Sequence, residues 1–449
     1  MKDKQIEKMD LEEKSAKEEP LKEKRNLKPI LGRTFRIISI LFIIGCCIFY
    51  GTRLVKYYKI YNPKVVNVDN LFATELIKKS PFVYEGDGLY RLGGNYIYKG
   101  KEVNNYLEFS NLLWRIIKIN SDNTIDLVLE NPINYLAFDE KATNYKDSNI
   151  ASYLNLYFLP ILNKDFMQTT TVCLDETKEI KNTVCNTFDT TSYIRLLSIN
   201  EFLNSITTDT YLNTTAYVWL TNYTSDTVWH TNGTNVSTST SDNMYAIKPV
   251  ITLKSTVSLI DGDGTKDNPY KIEEEKLILQ VGDHISLGED TWTIYEKRDG
   301  KLKLVSTELL PLTYLFSSTS STFHPEEASS LANYLNHKYL ESLSYKDTLV
   351  LSTWNTGLYE HDYKTVLEST VESYVGLYSV LDLKFETDLE GYTLLTPKDE
   401  NTIYMMEQNG ITTSSILLNR LVRPTISILE TTIQSGDGSI ENPYVLGGA

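Results

Sequence analysis

The nine residues Gly-Asp-Gly-Thr-Lys-Asp-Asn-Pro-Tyr at positions 262–270 decide the organisation of this chain, because they return as Gly-Asp-Gly-Ser-Ile-Glu-Asn-Pro-Tyr at positions 436–444. Each copy follows a basic residue, a proline and a β-branched run, at 248–253 and at 423–428. Two copies of one signature in the same setting indicate that a unit was duplicated. We therefore expect two tandem units, at residues 86–272 and 277–446.

Further landmarks recur in the same order in both units. They are the strands around Trp114 and Trp292, the helix patterns Ser148–Asn155 and Ser329–Asn336, and the segments Ile194–Ser198 and Tyr392–Thr396. Alternating apolar runs separated by short helical patterns predict an α+β fold with mostly antiparallel strands and two short helices in each unit. Ser198 and Glu201 have the spacing of a capping box at the start of a helix. The second unit is the divergent one, because it has no tryptophan between Asn401 and Arg423.

The N-terminal region has its own composition. Residues 1–64 carry 15 Lys/Arg and 8 Asp/Glu, and an uncharged apolar run occupies residues 37–51. This pattern predicts a charged cytoplasmic tail at 1–34, one transmembrane helix at 35–55 and a stalk at 56–85, with residues 56–449 extracellular. A buried core helix, a cleaved signal peptide and a lipoprotein box ending at Cys46 are the alternatives.

The rest of the chain is acidic. Residues 65–449 hold 29 Lys/Arg and 51 Asp/Glu, which argues against nucleic acid as a partner. Cys173 and Cys185 lie 12 residues apart in a polar stretch. Two interpretations remain open for them: a disulfide, or two free thiols in a loop.

The order of the landmarks resembles a bacterial domain family of unknown function. The motifs that carry the resemblance are Leu113-Trp114-Arg115-Ile116, the Ser148–Asn155 pattern, Leu196-Leu197-Ser198 with Glu201, Trp219-Leu220 and Lys248-Pro249. That family has a C-type-lectin-like fold and is distantly related to the formylglycine-generating enzymes. The lead-in Tyr96–Tyr106 is also similar to that of membrane-anchored surface proteins of low-GC Gram-positive bacteria. The resemblance implies two lectin-like units and a surface setting, and it carries over no catalytic residue.

Catalytic motifs are missing from the sequence. The five histidines do not stand at ligand spacing, and no Gly-x-Ser-x-Gly elbow frames a serine. We therefore expect a protein that is not an enzyme.

The signature itself offers oxygen ligands for a cation. Asp261, Asp263 and Asp267 are candidate calcium ligands in the first copy, whereas the second copy keeps fewer carboxylates. Asp-Gly pairs are also typical of tight turns. The turn is the preferred interpretation, with no cofactor required and calcium as the alternative.

Aromatic and amide residues cluster before the first signature. Trp219, Tyr223, Trp229, Asn232 and Asn235 are candidates for a rim that binds a glycan or a protein. The alternative is that the tryptophans fill the core. The sequence thus predicts a single-pass bacterial surface protein whose two lectin-like modules bind a glycan or protein ligand. A structural scaffold of the cell envelope is the rival hypothesis, and an enzyme of unknown type comes third.

Overall fold

A computed structural model of the chain describes Tyr50 and residues 71–180, 185–274, 278–359, 369–385 and 389–447. We call residues 71–274 the first half and residues 278–447 the second half, because each ends with the signature. Both belong to one compact unit, residues 66–449.

The helices are short. They are α1 (Phe72–Lys79), α2 (Asn149–Tyr153), α3 (Ile199–Asn204), α4 (Leu331–Tyr334) and α5 (Leu340–Ser342). One π-helical turn follows α2 at Leu154–Phe158 and another follows α4 at Leu335–Tyr339. Further 3-10 turns lie at Leu159–Ile161, Lys164–Phe166 and Lys346–Thr348. Ser148 and Ser330 cap α2 and α4 by accepting a main-chain N–H hydrogen bond.

Strands dominate the first half. They are β1 (Gly88–Leu92), β2 (Asn95–Lys99), β3 (Tyr106–Phe109), β4 (Leu112–Ile119), β5 (Ile125–Leu129), β6 (Asn134–Ala137), β7 (Met167–Gln168), β8 (Val172–Cys173), β9 (Phe188–Asp189), β10 (Ile194–Arg195), β11 (Val218–Tyr223), β12 (Val228–Thr231), β13 (Val236–Ser239), β14 (Met244–Ile247), β15 (Val250–Leu253), β16 (Leu259–Asp261) and β17 (Tyr270–Ile272). The large sheet runs β10-β15-β5-β4-β3-β17-β16, with β2 joined to β4 and β7 joined to β15. The small sheet runs β13-β12-β11-β14-β6.

The second half continues with β18 (His284–Leu287), β19 (Asp290–Arg298), β20 (Lys301–Ser306), β21 (Thr313–Tyr314), β22 (Ser352–Asn355), β23 (Thr370–Ser373), β24 (Val375–Leu377), β25 (Tyr392–Asp399), β26 (Thr402–Glu407), β27 (Gly410–Ser415), β28 (Arg420–Leu421), β29 (Pro424–Leu429), β30 (Ile433–Ser435) and β31 (Tyr444–Leu446). Its large sheet runs β24-β29-β20-β19-β18-β31-β30, and its small sheet runs β21-β28-β25-β26-β27. Two further hairpins, β8–β9 and β22–β23, stand apart from these sheets.

The two halves have the same topology. Strand for strand, the order of the large sheet in the first half matches that in the second, and so does the order of the small sheets. Both large sheets contain one parallel pair, β3 with β17 and β18 with β31, and both small sheets contain one, β11 with β14 and β25 with β28. The tryptophans of β4 and β19, Trp114 and Trp292, have no accessible surface, as their alternation with apolar residues predicts.

The signature closes each half as a turn. Gly264 has φ +80°, and a Cβ there would lie 2.4 Å from the Tyr270 ring; Gly438 has φ +83°, with the Tyr444 ring 2.5 Å away. The carbonyl oxygens of the two glycines accept from Tyr106 N (2.9 Å) and His284 N (2.8 Å) respectively. The glycines are therefore required by a left-handed backbone packed under an aromatic ring, which explains why both copies keep them.

The predicted α+β class, with two short helices in each lectin-like unit, is wrong. Strands account for 38% of the chain and helices for 13%, so the fold is mostly β. In the second half the counterpart of α3 is a turn. The Nζ of Lys384 donates to the carbonyl oxygens of Ser379 (2.9 Å), Val380 (3.1 Å) and Asp382 (2.7 Å). Carbonyl groups that accept from this buried ammonium do not need a helical N–H partner, and the chain turns instead.

One predicted correspondence between the halves is also wrong. Tyr392–Thr396 does not correspond to Ile194–Ser198, because β24 pairs with β29 as β10 pairs with β15. The counterpart of Leu196-Leu197-Ser198 is Leu377-Tyr378-Ser379. Both segments contain a leucine pair, Leu196-Leu197 and Leu394-Leu395, and this similarity makes them look equivalent in sequence.

The strands of the Trp219 region are present in the second half. Thr221 N donates to Leu197 O at 2.9 Å, and Leu395 N donates to Tyr378 O at 2.7 Å. These hydrogen bonds place β25 where β11 stands, so Thr393 replaces Trp219 in the same sheet position.

The predicted stalk, residues 56–85, is in part a packed element. In α1 the side chains of Phe72 and Leu76 are fully buried, and the rings of Phe72 and Tyr270 are 5.7 Å apart. Phe72 N also donates to Val257 O at 2.8 Å. Residues 71–79 therefore belong to the first half.

The predicted single-pass membrane topology is corrected. No helix among the described residues is both long enough and apolar enough to cross a membrane. The segment 35–55 and the tail 1–34 lie outside the described residues, apart from Tyr50. The membrane anchor, the cytoplasmic N-terminus and the extracellular placement of residues 56–449 thus have no support.

Candidate functional site

The first half contains an open cleft of about 770 Å³, which we call the first cleft. Its described lining residues all belong to the first half, and hydroxyl and amide groups predominate: Asn95, Asn120, Ser121, Thr124, Gln168, Thr169, Thr170, Thr171, Thr177, Ser198, Asn200, Thr221, Asn222 and Thr252. A volume of this size is typical of ligand-binding sites. The cleft therefore qualifies as the candidate site on both size and polarity.

A buried ionic network forms the floor of the first cleft. The two terminal nitrogens of Arg195 donate to the carboxylate oxygens of Glu201 at 2.6 and 2.7 Å, and its Nε donates to Thr170 Oγ1 at 2.9 Å. Asp126 lies 3.5 Å from Arg195 and 3.0 Å from Lys118. These charges satisfy one another, so the floor is rigid and pre-formed.

Glu201 and Arg195 in the floor keep their charges over a wide pH range. Burial acts to raise the pKa of Glu201, but the charge and hydrogen bonds of Arg195 outweigh it and hold that pKa below its usual range. Burial likewise opposes the charge of Arg195, yet Glu201 and Asp126 prevail and raise its pKa. Neither group is poised to exchange a proton near neutral pH, which a general acid or base requires.

The segment 173–179 forms one wall. Cys173 and Cys185 are joined by a disulfide with their Cα atoms 5.9 Å apart. Asn222 Nδ2 donates to Thr177 Oγ1 (2.9 Å), and Thr177 N donates to Tyr223 O (2.7 Å). The wall is therefore fastened to β11 as well as cross-linked.

Acidic side chains outnumber basic ones in the lining of the first cleft. Its described lining includes the carboxylates Asp122, Asp126, Asp175, Glu176, Glu179 and Glu201 and the cations Lys118, Lys178 and Arg195. Phe188 lies in the same lining with 51% of its surface exposed. An acidic, hydroxyl-rich cleft with an exposed ring suits a partner that offers cationic and hydrogen-bonding groups.

An equivalent cleft of about 530 Å³ exists in the second half, and we call it the second cleft. Six of its lining residues occupy the positions of lining residues of the first cleft in the repeated topology. Glu296 stands for Lys118, Arg298 for Asn120, Lys303 for Asp126, Thr353 for Thr171, Leu381 for Asn200 and Asp382 for Glu201. The strand-to-strand ion pair is kept with its sign reversed, because Lys303 Nζ lies 3.1 Å from Glu296 Oε2.

The first half covers one side of the second cleft. Leu156, Tyr157, Pro160 and Ile161, which follow α2, line it together with residues of the second half. Tyr153 Oη donates to Leu381 O at 3.0 Å, and Lys384 N donates to Ile133 O at 2.8 Å. Leu381 is only 2% exposed, whereas its counterpart in the first cleft, Asn200, is exposed.

No family model, curated protein or solved structure matches the chain. The resemblance to lectin-like surface proteins therefore stays a prediction.

The predicted binding rim is not a rim. Trp219 has no accessible surface and donates to Leu136 O at 3.0 Å, so it fills the core. Trp229 is 8% exposed and donates to Thr177 O at 3.0 Å, and Tyr223 Oη donates to Leu174 O at 2.6 Å. Asn232 and Asn235 shape the turn after β12, where Asn232 Oδ1 accepts from Asn235 N at 2.8 Å. Trp229 and Tyr223 thus hold the wall of the first cleft instead of contacting a ligand.

The carboxylates of Asp261 and Asp263 in the predicted calcium loop accept hydrogen bonds from main-chain N–H groups of the turn. Asp263 Oδ1 accepts from Thr265 N at 3.0 Å, and Asp261 Oδ1 accepts from Gly262 N at 2.8 Å. Hydrogen bonds from the Thr265 main chain and from the Thr265 and Asn268 side chains lower the pKa of Asp263. Within the described ranges, the one group of three possible metal ligands is Cys173, Asp175 and Cys185, not Asp261, Asp263 and Asp267. Its two sulfurs are bonded to each other and supply no thiolate.

Sequence reasoning missed the floor of the cleft. Asp126 lies within an alternating strand pattern and Arg195 within a repeated landmark, and nothing in either local pattern marks them as site residues. The usable signal was Glu201: its capping-box position places a carboxylate next to Ser198, and an arginine three residues before that serine can reach it.

Proposed function

We propose that the chain is a protein-binding module whose first cleft binds a segment of polypeptide. The observation that carries this proposal is the second cleft. The same site, built on the same strands, is bordered by Leu156, Tyr157, Pro160 and Ile161 of the first half. Main-chain atoms of its turn bond to the Tyr153 hydroxyl and to Ile133 O. The fold therefore already places a helical segment of one half against one side of the cleft of the other.

The second half then has the role of an internal platform. One side of its cleft is bordered by the other half, whereas the described lining of the first cleft comes from the first half alone, which leaves that cleft as the more accessible one. Paired charges on the floor and the low pKa of Glu201 favour binding over catalysis. This proposal keeps the protein alternative of the sequence-based hypothesis and sets the glycan alternative aside.

Selection from a displayed library of random peptides on the immobilised full chain tests the proposal. Thr171 is exposed in the first cleft, so Thr171→Arg blocks it without touching the core; Thr412→Arg, on exposed β27, is the matched control. We expect peptides that bind the parent and the control and lose at least about tenfold in affinity for Thr171→Arg.

Two results would overturn the proposal. One is the selection of peptides whose affinity does not change in Thr171→Arg. The other is a glycan array on which the parent binds sugars, and Thr171→Arg does not, while no peptide is selected.

A further inference from the structure

We infer that the polypeptide that the first cleft binds is a second copy of this chain, through the surface around α4. The inference rests on the proposed function, because it names the partner of that same cleft. It starts from the contact between the two halves, in which a segment of the first half borders the cleft of the second half. This contact leaves two surfaces unused: the cleft of the first half and the equivalent segment of the second half.

The first unused surface is the first cleft. The second is the counterpart of the segment that covers the second cleft. The π-helical turns Leu154–Phe158 and Leu335–Tyr339 are equivalent, so Tyr334, His337 and Lys338 stand where Tyr153, Leu156 and Tyr157 stand. We call these three residues, with Tyr314, the α4 face.

The α4 face is open. Tyr314, Tyr334, His337 and Lys338 line a groove of about 460 Å³, with the rings of Tyr314 and Tyr334 stacked 4.3 Å apart. The side chains of His337 and Lys338 are exposed. In the first half the equivalent positions border the second cleft: Tyr153 is buried and donates to Leu381 O, Tyr157 is half-buried and Leu156 is exposed.

The two unused surfaces match each other in polarity. In the second cleft, Leu381 shares the lining with apolar Leu156 and Tyr157. Where the first cleft presents Asn200 and a carboxylate-rich lining, the α4 face presents His337 and Lys338. Inside the chain, apolar side chains thus line the cleft together, and between chains the ammonium of Lys338 would face a lining in which carboxylates outnumber cations.

A contact of this kind is heterologous, because the cleft and the α4 face are different surfaces of the same molecule. Each copy would dock its α4 face into the cleft of the next and leave its own cleft for another. Assembly therefore proceeds head to tail, and it is open-ended unless a rotation closes a ring.

Light scattering of the full chain over a range of concentrations tests the inference. We expect the mass of the parent to rise above that of one chain, 51.4 kDa, and the rise to weaken as salt is added. Thr171→Arg and Lys338→Glu should each remain monomeric, whereas Lys266→Glu, a charge reversal in the first signature, should behave as the parent.

The decisive sample is an equal mixture of the two interface variants. The Thr171→Arg chain keeps its α4 face and the Lys338→Glu chain keeps its cleft. The mixture should therefore form a dimer and nothing larger, because neither chain has a second working surface. This recovery also shows that both variants are folded.

A parent that stays monomeric at every concentration would overturn the inference, as would self-association that neither variant reduces. Displayed peptides that bind the parent and not Thr171→Arg would still support the proposed function in that case. Failure of the inference is therefore distinguishable from failure of the proposed function.

Discussion

The side-chain amide of Asn134 donates to the main-chain carbonyl oxygen of Val380, 2.8 Å away, and so joins the first half to the second. The same amide lies 3.2 Å from Asp382 O, and Asn134 itself is fully buried. One side chain thus holds the turn of the second half that stands in place of a helix. The relative position of the two halves depends on buried hydrogen bonds of this kind as well as on apolar packing.

Asn134→Ala should destabilise the chain by about 1–3 kcal/mol, because two hydrogen bonds of the buried Asn134 amide are lost and Lys384 Nζ remains as the donor to Val380 O and Asp382 O. Urea unfolding gives the free energy. Asn235→Ala, an exposed turn position, is the control and should change it by less than about 0.5 kcal/mol. Equal effects of the two substitutions would show that Asn134 does not join the halves.

Arg195→Met should cost about 3–5 kcal/mol, because it leaves the carboxylate of Glu201 buried without its guanidinium partner. Arg195→Met combined with Glu201→Gln removes the unpaired charge and keeps an acceptor for Ser198 N. We expect the double variant to be more stable than the single one in urea unfolding. A double variant as unstable as the single one would contradict the ionic floor.

The free energy of unfolding should rise with pH above about pH 7. Burial lowers the pKa of Lys384 to about 7, against the attraction of Asp382, whereas its ordinary value is 10.5. Between these values the unfolded chain binds more protons than the folded chain, so raising the pH favours folding. Burial also lowers the pKa of Lys248 to about 8, which adds to the same window.

Lys384→Met should flatten that pH dependence, measured as urea midpoints between about pH 7 and about pH 10. Lys266→Met, at an exposed lysine, should leave it unchanged. The slope attributable to Lys384 is at most about 1.4 kcal/mol per pH unit. An unaltered slope in Lys384→Met would mean that the amine is not buried in the folded chain.

Reduction of the Cys173–Cys185 disulfide should lower the free energy of unfolding by about 2–4 kcal/mol. Since the cross-link also braces the cleft wall, main-chain amides of residues 173–177 should exchange hydrogen faster. Cys46→Ser with Cys47→Ser serves as the control, because it removes the other two thiols and keeps this bond. Unchanged exchange in the reduced chain would show that β11 alone holds the wall.

The sequence predicted the local elements of the first half well. The β4–β5 hairpin, the core position of Trp114 and the capping box of Ser198 and Glu201 follow from apolar alternation and from side chains that bond the adjacent backbone. Such features depend on neighbours in sequence, and so a single chain reveals them.

The clefts could not be predicted in the same way. The cleft floor joins residues from β4, β5, β10 and α3 that lie far apart in sequence, and the turn at Lys384 depends on a buried ammonium. The predicted fold class was wrong because strands dominate both halves and because the counterpart of α3 is a turn held by tertiary hydrogen bonds. The duplication was visible from the signature. Which of the two clefts is bordered by the other half depends on how the halves pack together, and the sequence does not show this.

Thiol labelling at two equivalent positions tests the central claim most directly, namely that the chain has two clefts of the same construction, one bordered by the other half and one not. Asn200→Cys and Leu381→Cys would each be made in a chain that carries Cys46→Ser and Cys47→Ser. With a maleimide reagent under native conditions, we predict that Asn200→Cys reacts as an exposed thiol and that Leu381→Cys reacts at least about a hundredfold more slowly. Equal rates at the two positions would contradict the account.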